Sequence, residues 1–199
     1  MTEFVLQDSR GNTGDRLMFW ALKGGYTTNL DAAERFTKEK ATSQNECRES
    51  DLPWPLAYLM DRYTLAVDCQ NVKPDEMKAQ QDSAEPFYLY VDGAWNGNDL
   101  LWLRNDDGRS DNLAEARVYE WSMTLSVSGF ASGSKVRTIT KAIADGLARK
   151  VVASGKVNHK EALRGTGIML AKPTRYRACL LYTSPSPRDR TRSRMPSSA

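Results

Sequence analysis

The feature that most constrains this chain is that it repeats its own pattern. Sliding the sequence along itself until Phe4 lies over Phe87, a shift of 83 positions, brings Leu6, Gly14, Leu17 and Gly25 over Leu89, Gly97, Leu100 and Gly108 without a gap. Asn29, Leu30 and Ala33 then meet Asn112, Leu113 and Ala116, with like-for-like pairs such as Phe19/Trp102, Thr27/Ser110 and Phe36/Tyr119 between them. A shared, ungapped pattern of glycines, apolar residues and a helix cap implies one supersecondary unit used twice.

Each copy opens on a short apolar run, crosses a polar stretch rich in turn residues and enters a second apolar run, the signature of a β-hairpin. Asn96-Gly97 supplies the positive φ that a tight turn needs. Lys23-Gly24-Gly25 and Asp106-Asp107-Gly108 make the next turn, and Asn29 and Asn112 stand where a side-chain oxygen would cap a helix. Leu30, Ala33 and Phe36 recur at helical spacing, as do Leu113, Ala116 and Tyr119. The pattern therefore predicts an α+β fold with two related strand–strand–helix units, over residues 4–36 and 87–119. A lone hairpin is marginal in water, so the two copies are expected to pack together, in one sheet or face to face.

Between and beyond the units, Thr37 is placed to cap a helix running toward Cys47, and Pro53-Trp54-Pro55 favours an extended segment with Trp54 as a packed anchor. A short helix from Leu56 is expected to run into an extended stretch at residues 65–67, and Pro74 marks a helix start. Residues 78–83 read as the linker, which divides the chain into halves 1–82 and 83–178. In the second half, Val136, Ile139, Ile143, Leu147 and Val151 form one apolar stripe, predicting a long amphipathic helix near residues 135–153, with Ser134 as cap and Gly155 as stop. Asn158 is placed to cap one more turn through Leu163. Leu59 and Asp61 echo Ile143 and Asp145, extending the correspondence toward whole halves.

The last segment stands apart. Residues 179–199 resemble an in-frame translation of a sequencing adapter, and are read as a disordered tail foreign to the protein, whose natural chain is expected to continue past Ala178. The tail holds four arginines and one aspartate, so the 28 Lys+Arg and 25 Asp+Glu of the whole chain fall to 24 of each without it. The remaining neutrality is unevenly distributed. Residues 134–178 carry eleven basic side chains against Asp145 and Glu161, a balance of +9, and the preceding residues carry −9. That split implies either an anionic partner or neutralisation within the molecule, with the near-cancellation favouring the latter.

Chemistry-bearing patterns are sparse. Cys47, Cys69 and His159 lack the spacing of a metal site and read as two small buried thiols and a surface imidazole. The run ending at Gly108 puts Leu103 where a calcium loop needs its first carboxylate. No nucleophile elbow or phosphate-binding glycine loop is present, and carboxylates such as Asp15 and Asp99 read as solvated charges. A non-enzymatic protein is expected, with no catalytic residues, cofactor or metal. The candidate contacts for a partner or for nucleic acid are Lys135, Arg137, Lys141, Arg149 and Lys150, together with Tyr26, an aromatic residue that the repeat replaces by Arg109. The other aromatics, Phe19, Trp20, Trp95 and Trp102, read mainly as core.

Gly14-Asp15 followed by Leu17-Met18-Phe19-Trp20, Gly25-Tyr26-Thr27-Thr28 with Leu30, Phe36-Thr37 and Pro53-Trp54-Pro55 resemble small uncharacterised proteins encoded by tailed bacteriophages. The resemblance covers residues 3–72 and transfers no site residues. It implies work in the cytoplasm of a bacterial host, consistent with the lack of a secretory signal and of a membrane-length apolar run. The expectation is an accessory protein that binds another protein, with nucleic-acid binding through residues 134–178 as the alternative.

Overall fold

The computed structural model describes residues 2–79, 84–121 and 136–171. Its first sheet is built around β1 (Phe4–Asp8), whose five residues are all buried. β1 pairs antiparallel with β4 (Asp51–Pro55) over its whole length and with β2 (Phe19–Trp20), and β3 (Tyr26–Thr27) adds to β2, giving the order β3-β2-β1-β4. Alternation along β1 separates two cores, as period-two side chains require. Val5 packs with Phe19, Trp54 and Leu59 of α2 (Leu56–Met60), while Phe4 and Leu6 pack with Ala41 of α1 (Lys38–Cys47) and with Ile168. The Thr37 hydroxyl accepts from the Lys40 amide and starts α1.

The second sheet has the same plan: β6 (Phe87–Asn96) pairs with β7 (Asp99–Leu103) and with β9 (Val136–Thr140), and β8 (Arg109–Ser110) adds to β7. The registers correspond residue by residue. Phe4 faces Pro55 and Gln7 faces Leu52, while Phe87 faces Thr140 and Tyr90 faces Arg137. β3 and β8 keep the 83-residue offset, whereas β4 and β9 stand 85 apart.

Four sequence expectations are corrected. The units are not strand–strand–helix: a third short strand follows the turn, and only 3₁₀ turns form, at Leu30–Ala32 and Leu113–Glu115. Asn29 and Asn112 do accept from the amide two residues on, but the chain is extended again at Ala33 and Ala116, too soon to offset the cost of nucleating a helix. Phe36 and Tyr119 reach the core from extended backbone, bridging Phe4 and Phe87. The long helix near 135–153 is instead β9, α3 (Lys141–Leu147) and β10 (Arg149–Val151). Its first residues are rich in β-branched side chains, Val136, Thr138, Ile139 and Thr140, which suit the open edge of β6 better than a helix. The apolar stripe still turns inward, with Ile139 and Val151 fully buried. Pro74 starts a single turn and no helix. The echo of Leu59 falls on Ala144, the matching residue at the 85-residue offset, and both are fully buried. Ser134 and residues 80–83 lie outside the described residues, as does the tail.

The two units do not share one sheet: each forms a four-stranded sheet of its own. β5 (Thr64–Ala66) and β10 form a separate antiparallel pair with Leu65 opposite Lys150. The flanking contacts are reciprocal. The Leu17 amide donates to the Val152 carbonyl at 2.9 Å and the Leu100 amide to the Val67 carbonyl at 3.0 Å, while the Ser154 and Cys69 amides donate to Asp15 and Asn98, both at 2.8 Å. Val152 thus sits in the first half's core and Val67 in the second's. Gly14 and Gly97 touch at this junction, both with positive φ. A Cβ on Gly97 would lie 2.5 Å from the Thr13 carbonyl oxygen. α4 (His159–Ala162), capped by Asn158, closes the first core.

Candidate functional sites

The basic residues singled out from the sequence are held by acids. In β9, Arg137 Nε lies 2.8 Å from Asp92. Lys141 pairs with Asp145 one helical turn on. Lys150 Nζ reaches Asp31 at 3.1 Å and approaches the Tyr63 ring. Arg149 Nη2 bridges Asp99 at 2.7 Å and Asp68 at 3.1 Å, and Nη1 donates to the Thr28 hydroxyl. These side chains are tied to separate acids, three of them to acids before residue 134. Lys135 lies outside the described residues. Tyr26 is exposed, but its hydroxyl accepts from Arg10 at 3.1 Å and Arg48 at 3.2 Å, which tie it to the chain just after β1 and α1.

At the junction of the halves lies a buried ionic cluster. Asp99 is fully buried and takes Arg16 Nε at 2.8 Å as well as Arg149. Arg16, also buried, is ion-paired with Asp111 at 2.7 Å through Nη2 and stands near Asp15 at 3.4 Å. Burial pushes the Asp99 carboxyl up, against the pull of the two guanidiniums. Burial alone would lower Arg16, but the bonds to Asp99 and Asp111 outweigh it and hold it above its ordinary value. Asp99 is therefore a structural carboxylate and not the solvated charge expected of it. A signal was present: the 83-residue shift sets Arg16 on Asp99, opposite charges at matching positions.

Two thiols and one imidazole differ from expectation as well. Cys47 is exposed and Cys69 half-buried, with burial pushing the Cys69 thiol up. His159 is no surface imidazole: its Nε2 bonds the Pro53 carbonyl at 2.8 Å, its ring lies 4.5 Å from that of Trp54, and burial lowers its pKa. Among the described residues, no group of three His, Cys, Asp or Glu gathers as a metal-binding set, and no helix is long and apolar enough to cross a membrane.

Among the described residues, two concavities stand out. The larger, about 800 Å³, lies between the start of β1, the start of α1 and residues 164–166, and is lined by Phe36, Arg35, Lys38 and Arg164 together with Glu3 and Glu39. Further along the chain from residue 166, Met169 is 86 % exposed and Leu170 38 % exposed. The smaller, about 170 Å³, lies beside the β6 bulge, between Tyr90 and Trp95 on one side and residues 69–74 of the first half on the other. Neither concavity was legible from the sequence, although Trp95 was among the aromatics noted there. Comparison of the chain with protein-family models, with curated proteins and with solved structures gives no match.

Proposed function

We propose that this chain is a non-enzymatic accessory protein of the tailed-bacteriophage kind, made of two copies of one unit, that acts in the bacterial cytoplasm by binding another protein. The observation that carries this reading is the large concavity, whose lining sets Phe36 among Arg35, Lys38, Arg164, Glu3 and Glu39, together with Met169 and Leu170, exposed a few residues further along the chain. Phe36 contributes apolar surface there, and cations and carboxylates of both signs line the hollow. Aromatic side chains and arginines, the residues enriched at protein interfaces, stand together in this lining. A phosphate backbone would instead favour a surface of one sign. The ion pairs of Arg137, Lys141, Arg149 and Lys150 also weaken the nucleic-acid alternative, since each cation already has a carboxylate.

The test is capture from bacterial host lysate, with nuclease present, comparing the wild type with Met169→Glu and Lys38→Glu. A protein retained by the wild type and lost from both variants is the expected result. Equal retention by all three would sink the proposed face. Micromolar, salt-sensitive binding of nucleic acid by a chain ending at Ala178 would promote the alternative.

A further inference from the structure

The two halves provide an internal comparison, and they differ sharply at one place. Gln7 in β1 and Tyr90 in β6 occupy matching positions, paired to Leu52 and Arg137 respectively, and Trp54 matches Ile139. In the first half the polar end of Gln7 is satisfied: its Oε1 accepts from Trp54 Nε1 at 2.7 Å. In the second half Ile139 has no donor or acceptor to offer. The Tyr90 side chain is 3 % exposed and its hydroxyl is buried without a hydrogen-bond partner. A buried polar group left unpaired is costly, so an orphan hydroxyl beside a cavity points to a missing partner.

The cavity is the 170 Å³ slot lined by Tyr90, Leu100, Val72, Pro74, Cys69 and Trp95. β6 makes it by bulging: between Tyr90 and Trp95 its register against β7 shifts, and Gly93 adopts φ +75°. The bulge leaves Trp95 54 % exposed. Bulges recur next to functional sites because they re-aim side chains. The first half has Asn12 at the place of Trp95.

We propose that this slot binds a small neutral molecule of single-ring size carrying one hydrogen-bonding atom, which meets the Tyr90 hydroxyl. An apolar cavity of about 150 Å³ holds benzene, so this volume admits one ring. The lining is mainly apolar, and Asp92 at its edge is already paired with Arg137, so the slot offers no free charge to a charged ligand. Burial keeps both the Tyr90 hydroxyl and the Cys69 thiol protonated, in keeping with a neutral site. The slot shares no lining residue with the large concavity, so either reading can fail without the other.

The full chain is titrated with phenol and with benzene, followed by NMR. Saturable phenol binding with Kd below about 1 mM is expected, with benzene about fivefold weaker for want of the hydrogen bond. Tyr90→Phe, which keeps the ring and removes the hydroxyl, should erase the preference for phenol. Val72→Phe, which fills the slot, should abolish binding of both, with melting curves confirming that each variant is folded. N-acetyltyrosinamide, the same ring on a peptide backbone, should bind no better than phenol. No saturation by phenol at about 10 mM would overturn the proposal. So would a preference that survives Tyr90→Phe, undiminished binding to a folded Val72→Phe, or much tighter binding of the peptide ring, which would make the ligand a partner's side chain.

Discussion

His159 shows how one residue's surroundings set a measurable property of the whole. Its ring is buried against Trp54, and that loss of solvent lowers its pKa below the ordinary 6.5 despite the Nε2 hydrogen bond to the Pro53 carbonyl, which acts in the opposite direction. The unfolded chain binds the proton more readily, so stability is complete above pH 6.5 and is lost as pH falls below that value. Urea midpoints should therefore begin to drop near pH 6.5 and keep falling as the pH goes down through the lowered pKa of the folded state. His159→Gln, which retains a donor but cannot titrate, should flatten that drop. An identical pH dependence in the variant would mean that other groups cause it.

At the scale of elements, the turn before β7 is governed by backbone room. Gly97 has φ +61°, and its α-carbon is pressed against the Thr13–Gly14 backbone of the other half. Gly97→Ala combines a left-handed backbone with a collision at 2.5 Å against a carbonyl oxygen, which a flexible side chain cannot relieve. A loss of about 1–3 kcal/mol is expected from the strained conformation alone, measured by urea unfolding. Gly108, where φ is not positive and the nearest neighbour is the Asp106 side chain, provides the control: Gly108→Ala should cost less. Similar losses at both positions would show that the close approach of the halves is unimportant.

The molecule as a whole is held by exchange between halves. Each lends a valine to the other's core, and Asp99 ties Arg16 of the first half to Arg149 of the second. Neither half can open without exposing part of the other's core, so unfolding should be a single transition, with coincident curves from tryptophan fluorescence and far-ultraviolet circular dichroism. Asp99→Ala leaves two guanidiniums facing each other in a buried site and should cost about 3–5 kcal/mol, the typical result of removing one partner of a buried pair. Separate transitions, or a loss within error, would mean that the junction contributes little.

What the sequence determined by itself is what local chemistry settles. Asn29, Thr37, Asn112 and Asn158 cap because their side chains reach amides only two or three residues away. The matched positions Leu17 and Leu100 are buried because the same apolar pattern surrounds each. Only the tertiary structure decided the rest. The stripe from Val136 to Val151 is compatible with a helix until the open edge of β6 offers it a strand partner. Asp99 reads as an ordinary surface carboxylate until Arg16 and Arg149 converge on it from remote parts of the chain. The Tyr90–Trp95 slot arises from a bulge in register, which is a relation between two strands and is carried by neither alone. Capping depends on neighbours in sequence, whereas strand pairing, buried charge and cavities depend on neighbours in space.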